Sequence, residues 1–257
     1  LTSPTYADDR VSVQDRYAGD VGDYQKLGLL RAFASQGLRV GICWYLAPDE
    51  SHNGDGRHVG YLASGNGLGA SLRRCDPDLY ADLFRFIAAK RRSVAALEQL
   101  DSFPASASHA ARLERSMGAA DRARWQRDAL EALKDPDVVF CAPDNGCRVV
   151  LPTRQPEKHA LLNEIGDYLA RGQSVVVYQH RDRTSGHSLD RLQHHLEVLH
   201  HATGFEPLGG VLARRGSQRF FLVVAQQAHR SRLLAAIEAY ERAWAGHVAF
   251  ARYRTAA

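Results

Sequence analysis

Three short apolar runs set the frame of the chain, and each empties into polar residues. Arg39 to Leu46 (RVGICWYL) runs into Ala47-Pro48-Asp49-Glu50; Val138 to Cys141 is bounded by Asp-Pro before it and Pro-Asp-Asn-Gly after it; Ser174 to Tyr178 (SVVVY) runs into Gln-His-Arg-Asp-Arg. Continuous apolar sequence of this length, rich in β formers, predicts short strands covered on both faces. Between them the spacing turns helical. Asp23 to Ser35 carries apolar residues at 27, 29, 30, 33 and 34 and stops at Gly37. Helices are also predicted from Asp78 to about Leu100, Ala120 to Lys134, Glu157 to Arg171, Ser188 to Ala202 and Arg230 to Trp244. Leu208 to Arg214 and Arg219 to Ala225, joined by Arg-Gly-Ser-Gln, read as an antiparallel hairpin, and His247 to Arg252 as a last strand. The Pro-, Ser- and Ala-rich residues 101–108 read as a linker between helices, and the Gly-rich 63–71 as a mobile loop.

Helices alternating with buried strands predict an α/β fold: a Rossmann-like, mostly parallel sheet flanked by helices, with an antiparallel hairpin toward the C-terminus. It is read as one domain, 13–257, with a helical insertion at about 76–134 and a flexible tail at 1–12. In such sheets ligands bind beyond the carboxyl ends of the strands. The polar strand ends should therefore meet at one rim. The first would deliver Asp49, Glu50, Asp55 and His58, the second Asp144 and Asn145, and the third His180, Arg181 and Arg183. Asp20 and Asp23 stand at the entrance of the first helix, where capping is their ordinary role.

Composition narrows this only slightly. The 257 residues are 45% hydrophobic with a formal charge of +4, which permits a polyanionic partner without requiring one. The cysteines at 43, 75, 141 and 147 form no CxxC pair and fit reduced thiols, hence a cytoplasmic setting. No apolar run reaches membrane-spanning length, and LTSPTYADDR is not a signal sequence. Gly65, Gly67 and Gly69 alternate without making a GxGxxG dinucleotide fingerprint. His194, His195, His200 and His201 include no i, i+4 pair of the kind a helical metal site uses. Lys90, Arg91 and Arg92 form a basic trio that suits a solvated helix face or a phosphate contact equally.

The blocks GDVGDYQKLGLLRAF, WYLAPDESHNGDGRHVGYL, VVFCAPDNG and VVVYQHRDR resemble an uncharacterised family of bacterial proteins and cover most of the chain. More remotely, their order is similar to the bacterial 23S ribosomal RNA adenine-N6 methyltransferases. That resemblance implies a methyltransferase-like fold and S-adenosylmethionine as cofactor. Asp20, Asp23, Tyr24 and Lys26 would match the cofactor-binding entrance to the first helix, joined by Asp49, Glu50, Asp55 and His58. Asp144, Asn145 and His180 would face the acceptor, a nucleic acid or nucleotide, and Arg181 and Arg183 would hold phosphate. Where the family has Asp-Pro-Pro-Tyr this chain has Ala142-Pro143-Asp144-Asn145, lacking the leading carboxylate and the aromatic. Either Asp144 takes over or the protein is an inactive binding module. A different class is also open: a divalent-metal hydrolase or nuclease, with Asp49, Glu50, Asp55 and Asp144 as hard ligands for magnesium or manganese and His58 or His180 moving protons.

Overall fold

The structure, a computed structural model, describes residues 17–48, 58–63, 67–90, 92–181, 186–214 and 218–254. In chain order the elements are α1 (Val21–Ser35), β1 (Val40–Trp44), α2 (Gly67–Arg73), α3 (Pro77–Ala88), α4 (Val94–Leu97), β2 (Ala107–His109), α5 (Ala119–Ala132), β3 (Val138–Ala142) and β4 (Gly146–Arg148). There follow β5 (His159–Leu161), α6 (Leu162–Ala170), β6 (Ser174–His180), α7 (Ser188–Thr203), β7 (Gly209–Ala213), β8 (Arg219–Val224), α8 (Arg230–Ala243) and β9 (Val248–Arg252). Among the described residues seven strands form one sheet in the order β2-β1-β3-β6-β8-β7-β9, and β4 and β5 pair separately. The first four strands are parallel, and the three that follow alternate in direction.

Helices cover both faces, which explains why the central strands are apolar throughout rather than alternating. Val40, Ile42 and Trp44 of β1, Val138 and Phe140 of β3 and Val176 of β6 point into one core with α1, α3 and α8. Their neighbours Cys43, Val139, Cys141, Val175 and Val177 point into the other, with α5, α6 and α7. Cys43 and Cys141 sit side by side in register on that second face. All four cysteines are free thiols, and burial pushes Cys43 up to about 12.

Several predicted elements are redrawn by packing. The helix expected over 78–100 breaks after Ala88, where Lys90 takes a positive φ of 54°. It restarts at α4, whose Ser93 hydroxyl accepts the Ala96 N–H. That break turns Arg92 inward, so its Nε donates to the Ala18 carbonyl at 2.7 Å; neither reading of the basic trio describes this residue. The stretch read as a linker contains β2, an edge strand paired to β1. Part of the Gly-rich stretch, from Gly67, is helical as α2. The helix expected from Glu157 begins only at Leu162, because 159–161 pair with β4 instead. A buried ion pair locks this corner: Arg122 Nε lies 2.6 Å from Glu164, and its other nitrogens reach the Pro156 and His159 carbonyls. The expected N-terminal tail falls outside the described residues.

Candidate functional site at the sheet's switch point

From β1 the chain first goes to β2 on one side and then returns to β3 on the other. The crevice therefore opens beyond Trp44 and Ala142, the carboxyl ends of β1 and β3, where open α/β sheets bind ligands. The N-terminal turn of α1 packs against this rim. Lys26 Nζ sits 4.1 Å from the Trp44 ring centroid and 5.9 Å from that of Phe140, and the Trp44 indole donates to Glu98 at 2.7 Å.

The carboxylates of α1 serve the helix first. Asp20 is the N-cap, accepting the N–H groups of Gly22 and Asp23 at 2.7 and 3.0 Å, while Asp23 accepts the Gly19 N–H and pairs with Lys26 at 2.6 Å. The three side chains are almost fully buried. Burial raises the Asp20 carboxyl above its usual range, the Asp23 charge adds to this, and the Arg219 guanidinium opposes it. Arg219 opens β8 opposite His180 and lies so close to Gly22 that a Cβ there would overlap its guanidinium. Tyr178 completes the group. Its hydroxyl is 3.1 Å from His180 Nδ1, and burial pushes it up to about 12, with Arg219 pulling down and Asp20 and Asp144 pushing up.

The turn carrying Asp144 and Asn145 is fixed from both sides. The Asn145 N–H donates to the Lys158 carbonyl at 3.0 Å, and the Gln179 carboxamide accepts the Cys147 N–H at 2.9 Å. Gly146 has φ +100°, and a Cβ there would lie 2.7 Å from Gln179 Nε2. Only glycine fits that close approach without strain.

The expected site residues divide as follows. Asp20, Asp23 and Lys26 gather at this rim, and Asp144 and His180 come with them through Tyr178. Arg181 follows directly on β6 and donates to the Gly186 carbonyl. His58 contributes its backbone, accepting the Val21 N–H. Tyr24 is a correction. Its ring is fully buried against Tyr61 and Trp244 and its hydroxyl is spent on the Leu72 and Asp76 backbone, so it anchors α1 rather than lining the rim. Asp49, Glu50, Asp55 and Arg183 lie outside the described residues. Trp44, Tyr178 and Arg219 were missed, because each reads as part of an apolar strand. An arginine opening RFFLVV was the one available signal.

Among the described residues no three His, Cys, Asp or Glu side chains are grouped as metal ligands, and no helix is long and apolar enough to cross a membrane. Fold and site together define an α/β protein with a buried, mixed-charge cluster at the switch point of a mixed sheet whose first four strands are parallel. No known protein-family model matches the chain, and a search of curated proteins returns no match.

Proposed function

We propose that this protein is a group-transfer enzyme of methyltransferase-like fold that uses S-adenosylmethionine and acts on a nucleic acid or nucleotide acceptor. The observation that carries the reading is the Lys26–Asp23 pair at the switch point. One ammonium and one carboxylate held side by side are the complement of an amino-acid zwitterion, the polar end of this cofactor. The strand order is compatible with it: four parallel strands are followed by an antiparallel hairpin.

When bound, the cofactor supplies an electrophilic methyl group. Lys26 would hold its carboxylate, and Asp23 its ammonium. Asp144 accepts a hydrogen bond from the acceptor amine and orients the nitrogen lone pair, the role left open by Ala142. His180, steadied by Tyr178, takes the proton that the methylated amine loses. Arg181 meets an acceptor phosphate.

Calorimetric titration with S-adenosylmethionine tests the reading, with Trp44 emission as a second readout because Lys26 lies over that indole. Saturable heat and a change in emission are expected, and Asp144→Asn should retain both while losing transfer to bulk RNA. Absence of heat and of an emission change at millimolar cofactor would overturn it.

A further inference from the structure

Beyond the switch point, one rim feature exposes apolar side chains. Between β4 and the turn at Pro156 the chain makes a short crossover, since β4 and β5 pair in parallel. Two β-branched aliphatics project from it, Val149 at 62% and Val150 at 77% exposure, the most exposed of the large hydrophobics described. Exposed arginines stand at either end, Arg148 and Arg154, and neither forms an ion pair among the described residues. The Glu157 carboxylate nearby is buried and engaged by Arg115, so it does not offset them.

The strand that leads into this segment adjoins the candidate site. β4 starts at Gly146, directly after Asp144 and Asn145, and its Cys147 N–H is held by Gln179, the residue before His180. The same edge carries further cations. Arg181 follows β6 and Arg214 follows β7, two strands that run in the same direction, and Arg191 packs beside Gly186, which Arg181 also contacts. Asp190 is the exposed carboxylate of that last segment. A cationic rim interrupted by a small apolar tip suits a polyanion with exposed apolar faces.

Resting on the acceptor class proposed above, we infer that residues 148–154 are the acceptor-docking element: Arg148 and Arg154 hold backbone phosphates while Val149 and Val150 pack on an unstacked base. The partner is a single-stranded or looped nucleic acid, because a stacked duplex offers the valines no base face.

The test is fluorescence anisotropy with a labelled mixed-sequence RNA of about 20 nucleotides, single-stranded and as its duplex, across a salt series. The single strand should bind more tightly than the duplex. Arg148→Gln with Arg154→Gln should weaken binding and flatten the slope of log affinity against log salt by about 1.4, at about 0.7 for each single-strand phosphate no longer neutralised. Val149→Ser with Val150→Ser should weaken binding by about tenfold and leave that slope unchanged. Equal binding by parent and both variants, equal binding of duplex and single strand, or no binding at about 50 mM salt would each overturn the inference. So would a valine variant that keeps its RNA affinity but loses a self-association seen by sedimentation, which would assign the tip to a protein contact. Cofactor titration on the same variants separates the two claims. Intact RNA effects without cofactor binding sink the methyltransferase reading alone; cofactor binding without RNA effects sinks the docking element alone.

Discussion

Replacing Gly146 by alanine should cost far more stability than an ordinary turn substitution. Two terms add. At φ +100° a side chain is strained by about 1–2 kcal/mol. The new Cβ also meets the Gln179 carboxamide, 2.7 Å from its Nε2 and closer to its oxygen, so the carboxamide must move. Moving it abandons the Cys147 N–H it accepts at 2.9 Å, and a stranded donor costs about 1–3 kcal/mol. The sum is about 3 kcal/mol, which for a chain of this size lowers the melting temperature by roughly 8 °C. Scanning calorimetry of Gly146→Ala, Gln179→Ala and the double variant measures both parts. In the Gln179→Ala background only the strain should remain, giving a coupling of about 2 kcal/mol. If Gly146→Ala stays within about 1 kcal/mol of the parent, or costs the same in both backgrounds, the close approach is not what fixes the turn carrying Asp144.

Arg122→Ala should destabilise by about 3–5 kcal/mol in urea melts, because it strands the buried Glu164 carboxylate; replacing Glu164 as well should recover part of the loss, and full additivity would refute the pairing. Stability should fall on mild acidification. Burial lowers the proton affinity of His109, His159 and His229 below that of the unfolded chain, so their contribution is complete above about pH 6.5 and is lost as pH falls through the folded values. His229 is the informative one: its Nδ1 lies 3.0 Å from the Ser174 hydroxyl, which also accepts the Gln226 N–H, and in the tautomer protonated on Nε2 it accepts from that hydroxyl, a role that protonation removes. His229→Asn, which offers an oxygen in its place, should flatten the drop between pH 7.5 and 5.5, and an unchanged slope would count against the assignment. Gly22→Ala should leave α1 helical by circular dichroism yet displace the Arg219 guanidinium; if the proposed S-adenosylmethionine site includes this turn, calorimetric affinity for the cofactor should fall by more than melting temperature does, and the reverse order would make Arg219 a structural residue alone.

Much of the frame was readable along the chain because each element's pattern is local. The three central strands, α1, α7 and the C-terminal hairpin fall within a residue or two of the positions that apolar spacing and Gly stops imply. The rim was readable too, since Asp144 lies just past β3 and His180 ends β6, two buried strands whose parallel direction delivers their ends to one side. Long-range pairing decided what local pattern could not. β2 and β5 are three-residue strands, too short to carry a period, and exist only because β1 and β4 offer them hydrogen-bonding edges.

Charge placement divides the same way. That Asp20 would cap a helix was evident from its position, but that Arg219, about two hundred residues later, would press its guanidinium against the same turn depends on where β8 inserts between β6 and β7. Tyr24, one of the residues that carry the resemblance, belongs to an aromatic cluster assembled from Tyr61, Tyr80 and Trp244. Which residues are apolar enough to be buried, and where strands end in polar groups, can be read along the chain, because those are properties of neighbours in it. Which polar groups face one another was decided by the tertiary structure, because an ion pair or a close backbone approach joins segments whose separation no local pattern encodes.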